Sequence, residues 1–329
     1  MVDLLVYLII IIPYTLIRHL PYKAVKGLAF LGGNVMDTIP SVRKLVRANI
    51  LAAMPELSEK EAARIGRESL KNLAWNMLEF IWLDGEPDRI RRCYCMRQET
   101  GDMHKQAKAE GKRFIYVNPH LGSWEASGVA GAFYTGMTMS AIAKPVTNPY
   151  VNKLLNSEKR EKVGLKILFT RGAVRGAIKA LRDGMCLGTL VDQNTKVRYG
   201  GIFVDFFGIP VASSPAPVEI KNYCDKHGIP VELLFGVSLR REDGKVESFC
   251  EPLPKPFEEY ASEKEVLQEI MDISERYIRQ YPEQYLWLYR RFQNIPRDVS
   301  PEVRKRFPYY AKDASDGFYS LLAHRGKKK

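Results

Sequence analysis

The spacing of hydrophobic positions divides this chain into three parts. Residues 4–17 are aliphatic or aromatic with one polar interruption. Residues 41–83 place apolar side chains at helical spacing, and Ser58 with Glu61 forms a capping box that predicts a helix start. From residue 113 onward, short apolar runs alternate with amphipathic stretches. This alternation predicts an α/β fold: a mostly parallel, mixed sheet flanked by helices, with an N-terminal helical extension.

Individual elements follow from the same pattern. The predicted strands comprise residues 113–117, 137–143, 166–169, 186–191, 231–239 and 246–250. The predicted helices comprise residues 100–110, 149–163, 173–182, 215–226, 263–280 and 283–292. Asp243-Gly244 predicts a hairpin between the last two strands, and residues 193–214 are predicted as a long loop. We divide the chain into an N-terminal hydrophobic segment (1–36), an α/β domain (37–297) and a basic tail (298–329).

The N-terminal segment has the character of a membrane anchor. Fourteen residues of helix, 4–17, reach roughly 21 Å, which is short of the ~30 Å hydrocarbon layer. Asp3 and the lack of a small-residue cleavage site argue against a signal peptide. Basic residues follow directly: Arg18, His19, Lys23 and Lys26. We expect residues 1–36 to dip into or tilt through a membrane, with the basic flank on the cytoplasmic side. The alternative is a buried core helix.

Composition and charge narrow the class of partner. A hydrophobic fraction of 46% with 27% charged residues indicates a folded, globular chain. The net charge of +12 suits a polyanionic partner, either nucleic acid, an anionic membrane surface or an acidic carrier protein. Five cysteines without a CxxC pair fit a reducing compartment, and Cys93 and Cys95 are expected to be thiols rather than metal ligands. We expect no metal and no organic cofactor.

The most informative residues lie where the first predicted strand gives way to a helix. His120 and Glu125 are five positions apart, which on one continuous helix would turn their side chains about 140° away from each other. If His120 ends a strand and Glu125 lies in the first helical turn, the loop between them can bring the two groups together. A histidine oriented by a carboxylate is suited to act as a general base.

Several ordered phrases then resemble one family. His120-x4-Glu125 matches the HX4(D/E) signature of glycerolipid-type acyltransferases, and further phrases are similar to its lipid A biosynthesis (late) acyltransferase branch. These are Lys144-Pro145-x-x-Asn148-Pro149, Thr170-Arg171-Gly172, Leu190-Val191-Asp192-Gln193, Phe203-Val204-x-Phe206-Phe207-Gly208, and Pro282-Glu283-Gln284-Tyr285-Leu286-Trp287. The resemblance covers residues 5–295. The chain departs from the branch at Lys144, where arginine is usual, at Asp205, where proline is common, and at Ala216, where glycine is usual.

The resemblance implies an activity and a location. Members move an acyl chain from a thioester, usually on acyl carrier protein, to a hydroxyl of a membrane glycolipid at the cytoplasmic face of the bacterial inner membrane. In the lipid A branch that hydroxyl belongs to a 3-hydroxyacyl chain of a lipid A precursor. Related members acylate phosphatidylinositol mannosides, and others act on lysophospholipids.

Roles for the catalytic residues follow from motif and resemblance together. His120 is expected to remove the proton of the acceptor hydroxyl, with Glu125 holding the imidazole. Backbone N–H groups of residues 121–123 are candidates for stabilising the oxyanion.

Substrate-binding roles fall to residues of the other phrases. The resemblance implies that Arg171 contacts acceptor phosphate, and the alternative is a surface arginine at a helix start. Lys144 keeps a charge without the arginine fork. Asp192 and Gln193 end a predicted strand, where they either orient the acceptor or make structural hydrogen bonds. For Asn148 the choice is between a helix N-cap and a ligand contact. The aromatic side chains of Phe203, Phe206 and Phe207 either line an acyl pocket or pack against the sheet.

Two other functions are compatible with parts of the sequence. A thioesterase or lipid hydrolase would use the same His120-x4-Glu125 pair with water in place of the acceptor. A basic protein that binds nucleic acid or membrane without catalysis would explain the charge alone, but no nucleic-acid-binding motif is visible. The sequence therefore favours a membrane-associated acyltransferase whose partners are acyl carrier protein, a glycolipid and an anionic membrane surface.

Overall fold

Strands and helices alternate along the chain in the order that a parallel sheet requires. The structure is a computed structural model that describes residues 2–154, 160, 164–170 and 172–320. The helices are α1 (Val2–His19), α2 (Tyr22–Thr38), α3 (Pro40–Ala53), α4 (Glu59–Leu83), α5 (Pro87–Cys93), α6 (Gln98–Ala109), α7 (Trp124–Thr135), α8 (Pro149–Asn152), α9 (Ala173–Arg182), α10 (Ala216–Lys226), α11 (Glu263–Gln280), α12 (Pro301–Arg306) and α13 (Asp316–Tyr319). The strands are β1 (Tyr94–Met96), β2 (Arg113–Asn118), β3 (Met139–Ala143), β4 (Leu165–Phe169), β5 (Cys186–Leu190), β6 (Ile202–Phe206), β7 (Ile209–Ser213), β8 (Val231–Arg240), β9 (Val246–Pro252), β10 (Asn294–Ile295) and β11 (Lys312–Asp313).

The central sheet has seven strands in the order β1-β9-β8-β2-β5-β3-β4. Every neighbouring pair in it is parallel except the β8–β9 hairpin. Strand β2 lies near the middle, with Ile115 opposite Leu187 of β5 and Leu233 of β8. The mostly parallel, mixed sheet predicted from the sequence is confirmed. The loop that follows β2 therefore lies at the carboxyl edge of the sheet, which is where open α/β sheets bind their ligands.

Helices cover both faces of the sheet because alternate side chains of each strand point to opposite sides. On β2, Ile115 and Val117 belong to the large core that also contains Val218 of α10 and Leu267 of α11. Phe114 points the other way, into a second cluster with Ala107 of α6 and residues of β3 and β4. Helices α6 and α7 lie on this second face. The predicted two-sided covering is confirmed.

The N-terminal residues form two helices that bury one side and expose the other. Helix α2 packs closely on α4, since a Cβ at Gly33 would approach the Lys71 Cα to 2.4 Å. In α1 the side chain of Tyr14 is buried, whereas that of Ile9 is 71% exposed. The other large apolar side chains that are exposed among the described ones of α1 and α2 are Leu4, Leu8, Ile12, Leu16, Leu28, Phe30, Leu31 and Val35. This exposure does not fit a buried core helix. None of the described helices has the length and apolar character needed to cross a bilayer.

Local signals located most elements correctly. Helix α4 begins as expected, with Ser58 and Glu61 forming both halves of the capping box. Helices α9 and α11 have the predicted bounds. Of the helix predicted at 149–163, α8 covers the start, and residues 155–159 and 161–163 lie outside the described part of the chain.

Two predictions were wrong, and each failed for a physical reason. Residues 193–214 contain the β6–β7 hairpin, whose turn has positive φ at Phe207 (54°) and Gly208 (66°). That turn lacks the usual Asn-Gly or Asp-Gly signal. Residues 283–292 do not form a helix. After a short 3-10 turn the Leu286 N–H donates to the His120 carbonyl at 3.1 Å instead of to a preceding helical turn, and the Trp287 side chain is buried.

The C-terminal tail packs against the domain over part of its length. Arg306 of α12 donates hydrogen bonds to the carbonyls of Ala52 (3.3 Å) and Phe207 (2.5 Å). The basic end of the predicted tail, residues 321–329, lies outside the described residues.

Candidate functional site

The loop between β2 and α7 is held rigidly by the elements around it. Gly122 has a φ of +64°, and a Cβ there would lie 1.9 Å from the Ser238 carbonyl oxygen, so only glycine fits. The N–H groups of Leu121, Gly122 and Ser123 donate to the carbonyls of Pro119 (2.8 Å), Gln284 (2.9 Å) and Ser238 (2.8 Å), respectively. Contrary to expectation, these three N–H groups are therefore not free to bind an oxyanion.

His120 lies two residues after the end of β2, is buried, and is fixed by Asp192. One carboxylate oxygen of Asp192 lies 2.6 Å from His120 Nδ1, and the other accepts the His120 backbone N–H at 2.9 Å. Because Asp192 takes Nδ1–H, Nε2 is the nitrogen with a lone pair. The Gln193 side-chain amide lies 3.2 Å from Nε2, where its N–H can donate. Asp192 and Gln193, predicted to lie at a strand end near the substrate, thus contact the histidine itself.

Glu125 lies in the first turn of α7 as expected, but it does not hold the imidazole. Its carboxylate forms an ion pair with Arg160 at 2.5 Å. The orienting hydrogen bond assigned to Glu125 from the sequence is made by Asp192 instead. That contact joins residues 72 positions apart, and it exists because β2 and β5 are neighbours whose carboxyl ends meet.

The two carboxylates nevertheless act on His120 together. Burial alone would lower the pKa of His120, but the charge and hydrogen bond of Asp192, with a smaller contribution from the charge of Glu125, raise it above the usual value. Burial opposes ionisation of Asp192, yet its bonds to His120 and the nearby Arg291 guanidinium keep its pKa below the usual value. These negative charges stabilise the protonated form of His120, so Nε2 takes up a proton readily.

The remaining predicted residues fall into three groups. Asn148 caps α8, since its Oδ1 accepts the N–H groups of Tyr150 (3.0 Å) and Val151 (3.1 Å). Lys144 is exposed just after β3, and Arg171 lies outside the described residues. Phe206 and Phe207 are buried in the main core and Phe203 packs on Phe318, so this aromatic group serves packing rather than an acyl pocket.

A cavity that sequence reasoning missed lies between α7 and the sheet. Its volume is about 90 Å³, and it extends from Asn118, at the end of β2, along the inner side of α7. Its lining includes four glycines, Gly128 and Gly131 of α7, Gly188 of β5 and Gly236 of β8. At the far end the Tyr116 hydroxyl and the His104 ring are hydrogen-bonded at 2.5 Å. Burial lowers the pKa of His104, so this end of the cavity is uncharged at neutral pH.

Glycines in the interior of helices and strands were the available signal for this cavity, because glycine weakens both elements and often marks a close approach. A Cβ at Gly131 would meet no atom within 4 Å. No packing contact within the described structure therefore requires a glycine at position 131.

Comparison with known proteins agrees with the motifs. The family described as bacterial lipid A biosynthesis acyltransferase matches residues 2–294. A lipid A biosynthesis acyltransferase of Haemophilus influenzae is 22% identical over 302 residues, which cover 90% of each chain. The lipid A biosynthesis lauroyltransferase of Escherichia coli is 25% identical over 297 residues, 86% of this chain and 90% of its own. The palmitoleoyltransferase of the same organism is 24% identical over 290 residues, 84% and 88% of the two chains. The resemblance is confirmed, and this chain belongs to the bacterial lipid A biosynthesis acyltransferase family.

Proposed function

We propose that this enzyme transfers a fatty acyl chain from acyl carrier protein to a hydroxyl group of a lipid A precursor. The carrying observation is the buried His120, with Nδ1 bound to Asp192 and Nε2 left to accept a proton. The acceptor oxygen attacks the thioester carbonyl as Nε2 takes the hydroxyl proton. The tetrahedral intermediate then expels the thiolate, which receives that proton from the imidazolium. An ester and a free carrier thiol result, and His120 returns to its neutral state.

Three neighbours support this role of His120. Asp192 holds the tautomer and stabilises the imidazolium, as carboxylates do in other histidine-based acyl-transfer sites. Glu125 adds negative charge at the same ring. Gln193 donates to Nε2 in the resting site, and we propose that it shifts to the acceptor hydroxyl when substrate binds.

The start of α7 is the group best placed to stabilise the oxyanion. The first backbone bond of this helix is made by the Ser127 N–H to the Ser123 carbonyl, at 3.0 Å. The Ser123 side chain does not cap the helix. Among the described contacts, the N–H groups of Trp124 and Glu125 have no acceptor, and the positive end of the helix dipole adds to their effect.

The cavity beside α7 is suited to the donor's acyl chain. It begins at Asn118, two residues before His120, and most of its surface is apolar. Residues Ser127 and Thr135 mark its extent along α7, which at 1.5 Å per residue is roughly 12 Å. We propose that the acyl chain lies there with its thioester carbonyl at the Asn118 end, toward His120.

The exposed apolar side of α1 and α2 supports binding to a membrane surface. Among the described side chains of these helices, nine large apolar ones between Leu4 and Val35 are exposed, next to the basic residues Lys23 and Lys26. Apolar side chains next to cations are typical of helices that lie in the interface of an anionic bilayer. We propose that the enzyme works at the cytoplasmic face of the inner membrane. We propose Lys144 and Arg171 as contacts for acceptor phosphates, whereas Asn148 is accounted for by its capping role.

Purified enzyme separates this function from its alternatives. With acyl carrier protein thioester and a lipid A precursor in vesicles, we expect carrier thiol release to depend on the acceptor and the glycolipid to gain one acyl mass. Equal release without any acceptor would identify a thioesterase. Transfer only to a lysophospholipid or a phosphatidylinositol mannoside would show that this lipid, and not a lipid A precursor, is the acceptor. Equal rates with acyl coenzyme A would show that the donor need not be acyl carrier protein.

A further inference from the structure

A buried ion pair lies behind the His120 loop and takes no part in the chemistry described above. Glu79 of α4 and Arg240 at the end of β8 are joined by hydrogen bonds of 2.8 and 3.1 Å. The Glu79 side chain is 0% exposed and that of Arg240 is 5% exposed. Removing two charges from water is costly, and apolar residues of similar volume often serve stability as well. The contacts of this pair point to a more specific role.

The first connection from the pair to the loop runs through Asn76, which precedes Glu79 by one turn of α4. Asn76 Oδ1 accepts a hydrogen bond from Arg240 at 2.9 Å, and Asn76 Nδ2 donates to the Gly122 carbonyl at 2.5 Å. The two ends of an amide differ, one accepting and the other donating. The guanidinium therefore determines that the donating end faces Gly122.

The second connection runs through Tyr94, at the start of β1. Its hydroxyl donates to Glu79 at 2.9 Å and is hydrogen-bonded to Ser123 Oγ at 2.6 Å. A tyrosine hydroxyl has one proton, so the serine must be the donor in the second bond. Glu79 thereby directs the Ser123 hydroxyl toward Tyr94, which agrees with the absence of a side-chain cap at the start of α7.

We propose that Glu79 and Arg240 are positioning residues for acyl transfer. Through Asn76 and Tyr94 they fix the orientation of the backbone between His120 and α7. The inference rests on the proposed function. The backbone bonds of the loop to Gln284 and Ser238 do not involve this pair. When the pair is altered, we therefore expect the loop to stay attached and to change its orientation slightly. Since small misplacements of reacting groups are costly for rate, the effect belongs mainly to kcat.

Two conservative substitutions test the proposal. Arg240→Lys keeps a cation beside Glu79, but a compact ammonium lacks the fork that binds Glu79 and Asn76 at once. Asn76→Asp still accepts from Arg240 and turns its second oxygen toward the Gly122 carbonyl, which repels it. We expect each to lower kcat about tenfold or more, with KM for the donor changed by less than about threefold. The double variant should be no slower than the slower single variant, because both changes break one connection.

A matched asparagine control lies on α10, away from the His120 loop. Asn222 is exposed and its Nδ2 donates to Glu263 Oε1 at 3.2 Å, so Asn222→Asp should leave kcat within about twofold. Hydrogen exchange at the Gly122 and Ser123 amides should accelerate in Arg240→Lys and Asn76→Asp and not in Asn222→Asp. This readout does not depend on the identity of the substrate.

Unchanged kcat and unchanged exchange in folded Arg240→Lys and Asn76→Asp would overturn the proposal, as would losses that multiply in the double variant. If Arg240→Lys does not fold, kcat and hydrogen exchange in Asn76→Asp and Tyr94→Phe test the proposal instead. Tyr94→Phe removes only the hydroxyl that binds Glu79 and Ser123. An inactive wild-type enzyme would count against the proposed function, whereas the exchange experiment would still decide the positioning role.

Discussion

At the scale of single residues, two carboxylates influence one imidazole in different ways. Asp192 binds Nδ1 directly and so fixes both the tautomer and the ring plane of His120. Glu125 contributes charge from the start of α7 while paired with Arg160. A histidine surrounded by negative charge gains a proton readily. As the pH falls, it therefore becomes protonated, and inactive as a base, at a higher pH than a free imidazole would.

The pH dependence of the reaction tests this division of roles. A general base must be unprotonated, so kcat/KM falls as the pH drops through the pKa of His120, which lies above the usual value of about 6.5. In Asp192→Asn burial remains while the charge is gone, so we expect the acid limb to move to lower pH and the rate to fall about 10²-fold or more. In Glu125→Gln the limb should move the same way by a smaller amount. The pH profile of kcat/KM measures both shifts.

A surface carboxylate provides the control. Asp183 is paired with Lys179 at the end of α9, and Asp183→Asn should leave the acid limb in place. An acid limb that stays unmoved in Asp192→Asn would mean that another group controls the profile.

The residues of the site could be predicted only in part from the sequence. His120 was placed correctly at a strand end because an apolar run and loop-forming residues mark it locally. The partner of Nδ1 could not be found by spacing, since Asp192 is brought there by the pairing of β2 with β5, which is a property of the whole sheet. For the same reason spacing does not show that the N–H groups of Gly122 and Ser123 are occupied, because their acceptors, Gln284 and Ser238, come from distant segments.

At the scale of elements, α7 carries both the groups that we propose for catalysis and the wall of the cavity that we propose for substrate binding. Its first turn carries Glu125, and one side of the next two turns is small enough to leave a cavity against the sheet. Helix α4 provides the packing surface for α2 and also carries Asn76 and Glu79 behind the His120 loop. The strength of the local signal decided which elements were predictable. Helix α4 has a complete capping box, whereas the β6–β7 turn has an uncommon Phe-Gly pair.

The cavity beside α7 is expected to limit the length of the acyl chain. In Gly131→Leu four side-chain carbons enter the cavity, so the preferred donor should become shorter by about two to four methylene groups while turnover with that donor is kept. Competition among donors of different length, with products identified by mass, measures the change.

Gly101 is the matched control for that substitution. It is also an interior helix glycine with nothing within 4 Å of an added Cβ, but it lies on α6 and does not line the cavity. Gly101→Leu should leave the preferred length unchanged. A preference that is also unchanged in Gly131→Leu would place the acyl chain elsewhere.

The contact of α2 with α4 has a clear consequence for stability. Ala at Gly33 would press on the Lys71 backbone, so the free energy of unfolding should fall by about 1–3 kcal/mol. At the neighbouring Gly32 an added Cβ has its nearest contact at 3.9 Å, and Gly32→Ala should raise the same free energy by roughly 0.5–1 kcal/mol. Urea denaturation compares the two, and equal effects would contradict the close approach of the helices.

At the scale of the whole molecule, the exposed apolar side of α1 and α2 is the surface that we propose binds the membrane. The sequence predicted an apolar N-terminal segment from composition alone, but not that it would form two helices with one buried side. That division depends on tertiary packing against α4.

Binding to vesicles tests this proposal. Replacing Leu8 and Leu31, both exposed, by glutamate should lower the fraction bound to anionic vesicles about tenfold or more, because each leucine contributes roughly 1.5–3 kcal/mol when buried. Tyr309 is 56% exposed and lies outside α1 and α2, so Tyr309→Glu is the control. Equal binding of both variants and the wild type in a flotation assay would assign membrane contact to another surface.

The central claim is acyl transfer to a glycolipid with His120 as the base, and mass spectrometry of membrane lipids tests it most directly. In cells that lack this gene, we predict a lipid A precursor lighter by one acyl chain, which the wild-type gene restores and His120→Ala does not. Restoration of the acyl chain by His120→Ala, with the protein present in the membrane at the wild-type amount, would contradict the account.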